Sequence, residues 1–127
     1  MTLRMRKYTS VAMLTGAVLS APAFAADDLV TKGKDIAAQH CTRCHVVGDI
    51  NPLGGISSTP SFQLMLNELS DWKVRFETFH TRRPHPAIIR FKGYDYSADT
   101  PTTVPILLEL KDVDAILAFA KTLKKQK

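Results

Sequence analysis

In the stretch Ala37 to Gly48, AAQHCTRCHVVG, three closely spaced side chains can do chemistry together: Cys41, Cys44 and His45. They comprise both cysteines of the chain and one of its four histidines. Thiols at positions i and i+3 sit near one face of a helical turn, and the imidazole that follows projects beside them. Three chemistries use such a set. A structural zinc site needs four ligands at matching spacing, and the chain has no second Cys pair, while His80 and His85 stand apart. A redox dithiol uses the same C-x-x-C spacing in a strand-then-helix context, and no strand-rich region precedes Cys41. A porphyrin joined through two vinyl groups needs two thiols a fixed distance apart and an iron ligand beside them. C-x-x-C-H is the signature of that attachment. The spacing favours one covalent haem c, with Cys41 and Cys44 as thioether sulfurs and His45 as the proximal iron ligand. Zinc and dithiol chemistry remain the alternatives.

The elements that position these residues follow a leader. Arg4, Arg6 and Lys7 precede a mostly apolar run from Val11 to Leu19. Ala23-Phe24-Ala25 then fits the small-x-small pattern before a signal-peptidase cut. The apolar run as far as Ala25 is shorter than the roughly 20 residues of a membrane span. Residues 1–25 are therefore expected to be a secretory signal peptide. It delivers the chain to the periplasm and leaves no stable membrane insertion after cleavage. The domain that remains, 26–127, has 102 residues. A core of that size is thin, and a covalent cofactor adds buried surface to it. The full chain carries 17 Lys and Arg against 12 Asp and Glu, a net charge of +5. Three of those basic residues leave with the leader, so the domain carries only +2. With no aromatic-and-basic recognition motif either, nucleic-acid binding is not expected. Export favours disulfides, but a Cys41–Cys44 bridge closes too short a loop to stabilise much.

Apolar residues at helical spacing (Leu29, Val30, Gly33, Ile36, Ala37) predict a first helix over Asp27 to Gln39. Gly33 costs about 1 kcal/mol there relative to Ala, which close approach of another helix would explain. Residues 46–58 are rich in Gly, Asn, Pro and Ser and read as a loop. Thr59 as N-cap and Pro60 as first helical residue are expected to open a short helix carrying Phe62, Leu64, Met65 and Leu66. Ser70 is expected to cap another over Asp71 to His80, with Trp72, Phe76 and Phe79 forming core on one face. Residues 81–105 hold four prolines and Gly93 and should be irregular. A last helix over Asp112 to Lys124 carries an apolar stripe of Val113, Ile116, Leu117, Ala120 and Leu123, with Phe119 beside it. Lysines gather at its C-terminal end, where the helix dipole favours cations.

GKDIAAQHCTRCH, the Gly/Pro loop after it and the terminal VDAILAFAKTL together resemble the small bacterial class I monohaem cytochrome c family. The resemblance implies an all-α, cytochrome c-like fold in which N- and C-terminal helices cross around a covalently bound haem, with long loops. It implies that a glycine of the first helix meets an aromatic of the last, and Gly33 and Phe119 stand at those positions. It also implies a monomeric electron carrier rather than an enzyme, passing single electrons between periplasmic or membrane-bound redox proteins. The chain departs from the family at the distal ligand. Where a methionine is usual, Ile88 follows His85-Pro86 and Val104 precedes Pro105. With Met1, Met5 and Met13 lost with the leader, Met65 is the last methionine. The sixth ligand is thus open between His85, which two prolines place best, His80, Met65 or none; His40 belongs on the proximal side or the surface. With none, an open position walled by Ile88 and Val104 gives the alternative function: a five-coordinate haem protein binding a small gas or peroxide, as a sensor or peroxidase-like enzyme. Lys73, Arg75, Arg82, Arg83, Arg90 and Lys92 face only Glu77 in charge. This run reads as a solvated face with one or two arginines on haem propionates, or as a docking patch for an acidic redox partner.

Overall fold

The computed structural model describes residues 24–96 and 103–125. The expected leader lies outside them except for positions 24 and 25, where the first helix begins. Helices α1 (Phe24–Ile36), α2 (Phe62–Glu68), α3 (Trp72–Glu77) and α4 (Leu110–Thr122) are the main elements of the described chain. Single turns of 3-10 helix lie at Gly48–Ile50, Phe79–Thr81 and His85–Ala87. This helical framework is compatible with the all-α expectation, with one small two-stranded sheet added. Strands β1 (Ile89–Phe91) and β2 (Ile106–Leu108) pair in parallel, Ile89 opposite Ile106 and Phe91 opposite Leu108. Each is three residues long, too short to show an alternating pattern, yet their branched and aromatic side chains suit a half-buried sheet. Residues 81–105 are therefore not wholly irregular.

The frame is the crossing of α1 with α4, the most extensive contact between elements. A Cβ added at Gly33 would overlap the backbone carbonyl of Ala115 and lie 2.9 Å from Cβ of Phe119. The helices thus meet almost backbone to backbone, the close approach that a glycine inside a helix calls for. Around the crossing, Phe62 and Leu66 of α2, Phe76 of α3, Phe91 of β1 and Ile116 of α4 are buried in one core. The rings of Phe62 and Phe76 meet edge to face at 5.0 Å, a favourable aromatic geometry.

Helix boundaries follow the caps. α2 begins at Phe62, because the Ser61 hydroxyl accepts a hydrogen bond from the Leu64 amide at 3.1 Å. Thr59 and Pro60 stay outside it, with the Pro60 carbonyl turned toward His45. α3 has Asp71, not Ser70, at its N-cap, and the Asp71 carboxylate takes Arg75 Nε at 2.8 Å instead of capping the backbone. α4 begins two residues before the expected Asp112. Glu109 and Asp112 form a reciprocal capping box, with the Glu109 amide donating to Asp112 Oδ2 at 2.8 Å. Asp112 also pairs with Lys32, tying α1 to the start of α4. α1 does not simply run on to Gln39: it widens into a turn of π-helix at Ala37–Cys41, closed by the Thr42 amide on the Ala37 carbonyl. Such turns are rare and concentrate at functional sites; this one leads straight into the Cys41–His45 segment. Among the described residues no helix is long and apolar enough to cross a membrane.

Candidate functional site

The turn after α1 delivers Cys41, Cys44 and His45 to one wall of a cavity of about 570 Å³, within the roughly 300–1,000 Å³ of small-molecule and cofactor sites. Phe62 and Met65 of α2, Phe76 of α3, Ile89 of β1, Ile106 and Leu108 of β2 and Ile116 of α4 make its apolar walls. The segment 82–88 closes it with Arg82, Arg83, His85 and Ile88. Hydrogen bonds of the following loop hold the His45 segment in place. Ile56 N–H donates to the Cys44 carbonyl and Phe62 N–H to the Val46 carbonyl, both at 2.9 Å. Gly55, with φ +78°, lets the loop lie against that backbone: a Cβ there would stand 2.9 Å from the Val46 nitrogen.

Two histidines are prepared in the same way. His45 Nδ1 lies 2.7 Å from the Pro60 carbonyl, and His85 Nδ1 lies 2.9 Å from the Arg82 carbonyl. A carbonyl only accepts, so in each ring Nδ1 carries the hydrogen and Nε2 keeps a free lone pair in the neutral form. Metal-bound histidines are oriented in this manner. The two rings are parallel within 3°, with centroids 6.1 Å apart. Imidazole nitrogens each about 2 Å from one shared metal ion put their ring centroids about 6 Å apart. Burial lowers the pKa of His85 below the ordinary imidazole value, against the opposing pull of the Arg82 carbonyl, and so favours the neutral, ligating form. Phe79 meets the His85 ring edge-on at 5.5 Å, and Phe62 meets His45 at 5.6 Å.

Of the other expected ligands, one lies off the cavity and the rest border it. His80 is not on the cavity wall; its ring packs edge-on against Phe91 at 5.1 Å and Phe79 at 5.7 Å, with Nδ1 buried and unpartnered. Met65 and His40 line the cavity, Met65 packed against the core cluster. Ile88 lines it too, but Val104 is 91% exposed and forms no part of the wall.

The basic run does not form one face. Arg90 is buried: its guanidinium donates to the Pro86 carbonyl at 2.6 Å and lies 4.7 Å over the Tyr96 ring. Lys73 pairs with Glu77 and Lys92 with Glu109. Arg75, Arg82 and Arg83 are the ones that reach the cavity, and Arg82 Nε is steadied by the Thr78 hydroxyl at 3.3 Å.

Both cysteines are free thiols. Burial, helped by the neighbouring Cys44, pushes the Cys41 thiol up to about 12. A thiol kept protonated is the reverse of the lowered pKa that redox dithiols rely on. Among the described residues no three His, Cys, Asp or Glu side chains converge as a metal site, so the four donors of structural zinc do not assemble. The donor set does fit haem: two thiols and two imidazoles with free Nε2 border one apolar cavity, with the guanidiniums of Arg82 and Arg83 on its lining and that of Arg75 already paired with Asp71.

Sequence reasoning passed over Asn51. Its carboxamide bonds the backbone on both sides of His45, at Thr42, His45 and Val47. The one sequence signal was an Asn-Pro pair in a turn-rich loop, which points to a turn rather than to a role in the site. Compared with known proteins, the chain matches no family model, no curated protein and no solved structure.

Proposed function

We propose that the protein is a c-type cytochrome that carries single electrons. One haem c is joined to Cys41 and Cys44, and its iron is held between His45 and His85. The observation that carries this reading is the pair of parallel imidazoles 6.1 Å apart, each tied by Nδ1 to a carbonyl, in a cavity whose lining also includes both thiols.

When bound, the group supplies a one-electron iron couple whose potential follows its axial ligands. The chain does the rest. With the group bound, His45 and His85 would together hold its iron, which would leave no open place for a gas or peroxide and favour transfer of electrons over ligand chemistry. Nitrogen in place of the sulfur of a distal methionine sets the potential lower than His/Met ligation does. The apolar walls from Phe62, Phe76 and Ile116 would keep water from the group. Arg82 and Arg83, on the cavity lining, would offer charged partners for the carboxylates of the group. We place the mature protein in the periplasm, after cleavage of residues 1–25, with periplasmic or membrane-bound redox proteins as its partners.

The test is production in a host able to attach haem covalently. The mature protein should carry the mass of one haem, lose covalent attachment in the double variant Cys41→Ala, Cys44→Ala, and titrate reversibly with one electron. An unmodified mass overturns the proposal.

A further inference from the structure

We propose that Asn51 is a positioning residue for the proximal ligand, fixing the plane of the His45 imidazole relative to that of His85. Asn51 does not line the cavity, so it acts through His45. Its Oδ1 accepts the Val47 amide at 2.7 Å. Its Nδ2 donates to the His45 carbonyl at 2.9 Å and to the Thr42 carbonyl at 3.1 Å. One side chain thus spends both donors and an acceptor on a backbone segment that runs from three residues before His45 to two residues after it. Its own place is fixed by the Gly54 amide on the Asn51 carbonyl at 2.9 Å. A side chain at position 54 would crowd it, since a Cβ there lies 2.8 Å from Nδ2.

The His45 ring has a second anchor, the Pro60 carbonyl at Nδ1. Asn51 holds the backbone and Pro60 holds the ring, and with both fixed the imidazole does not turn about its bond to a metal. The consequence is the 3° angle between the two ring planes. The inference rests on the haem reading above.

In a ferric bis-imidazole haem the two ring planes control the electron paramagnetic resonance spectrum. Parallel planes give an ordinary rhombic low-spin signal; crossed planes give a highly anisotropic one with a single large g value. The wild-type holoprotein should show the rhombic signal. Asn51→Ala, and Asn51→Asp (which keeps the acceptor but loses both donors), should lose part or all of it to the large-g form. Asn67→Ala is the control. Asn67 makes two comparable bonds, to the Gln63 carbonyl at 2.8 Å and from the Lys125 amide at 3.0 Å, and should lower stability without moving the signal. An unchanged signal in the Asn51 variants, or an equal change in Asn67→Ala, overturns the inference. If neither Asn51 variant accumulates as folded protein, nuclear magnetic resonance of the wild type decides: slowly exchanging Nδ2 protons of Asn51 support it, and solvent-averaged ones overturn it. A wild type with haem attached but no low-spin signal refutes the His45–His85 reading and this inference with it.

Discussion

Gly33→Ala separates two forces that act in opposite directions. On helix propensity alone, replacing a glycine inside a helix with alanine stabilises by about 1 kcal/mol. At Gly33 the added methyl falls on the backbone carbonyl of Ala115 and comes within 2.9 Å of Phe119 Cβ. A peptide carbonyl inside α4 cannot rotate aside as a side-chain end could, so α1 and α4 must move apart. Overpacking of this kind costs about 1–3 kcal/mol, and the rigid obstacle puts it at the upper end. Separation also uncovers Ala115, which is fully buried, and Phe119, which is 5% exposed. Set against the propensity gain, the net loss is about 2 kcal/mol. For a domain of this size each kcal/mol shifts the melting midpoint by about 4–8 °C, so the variant should melt roughly 10 °C lower. Thermal unfolding of the holoprotein followed by far-ultraviolet circular dichroism reads this directly. A variant that melts at or above the wild type refutes the close crossing and everything inferred from it.

Three further substitutions probe the core and the site. Phe76→Ala removes a ring that is 4% exposed and set edge to face on Phe62. It should cost about 3–5 kcal/mol, seen as a lower denaturant midpoint; a loss under about 1 kcal/mol contradicts a packed core there. His85→Ala empties one axial position, so the reduced variant should bind carbon monoxide and its ferric form turn high-spin. An unaltered spectrum would show that His85 is not a ligand. Arg82→Glu places an anion at the cavity wall, which favours the ferric charge state and should lower the reduction potential in a redox titration. No change in potential would mean that Arg82 does not face the bound group.

The parts legible in the sequence were those fixed by local rules. The Cys41–His45 spacing is chemistry within five residues, and the helices α1 and α4 showed themselves by apolar periodicity. Gly33 was informative because it breaks a local preference that only a tertiary contact could repay. Other features depended on partners distant in the chain. Thr59 was the expected cap of α2, but Ser61 holds that place, while the Pro60 carbonyl between them faces His45 Nδ1. Three-residue strands such as Ile89–Phe91 carry no periodic signal of their own. Arg90 read as a surface charge, and its burial depends on the Pro86 carbonyl and the Tyr96 ring. In sequence only the flanking prolines, Pro84 and Pro86, favoured His85 over His80. The turns at 79–81 and 85–87 separate them, sending one ring to Phe91 and the other to the cavity.

The central claim is that iron sits between His45 and His85 with no open position. Optical spectra of the wild-type holoprotein, ferric and then reduced under carbon monoxide, test it most directly. The account predicts a low-spin ferric spectrum and a reduced spectrum that carbon monoxide leaves unchanged. A high-spin ferric form that takes up carbon monoxide rapidly on reduction would contradict it.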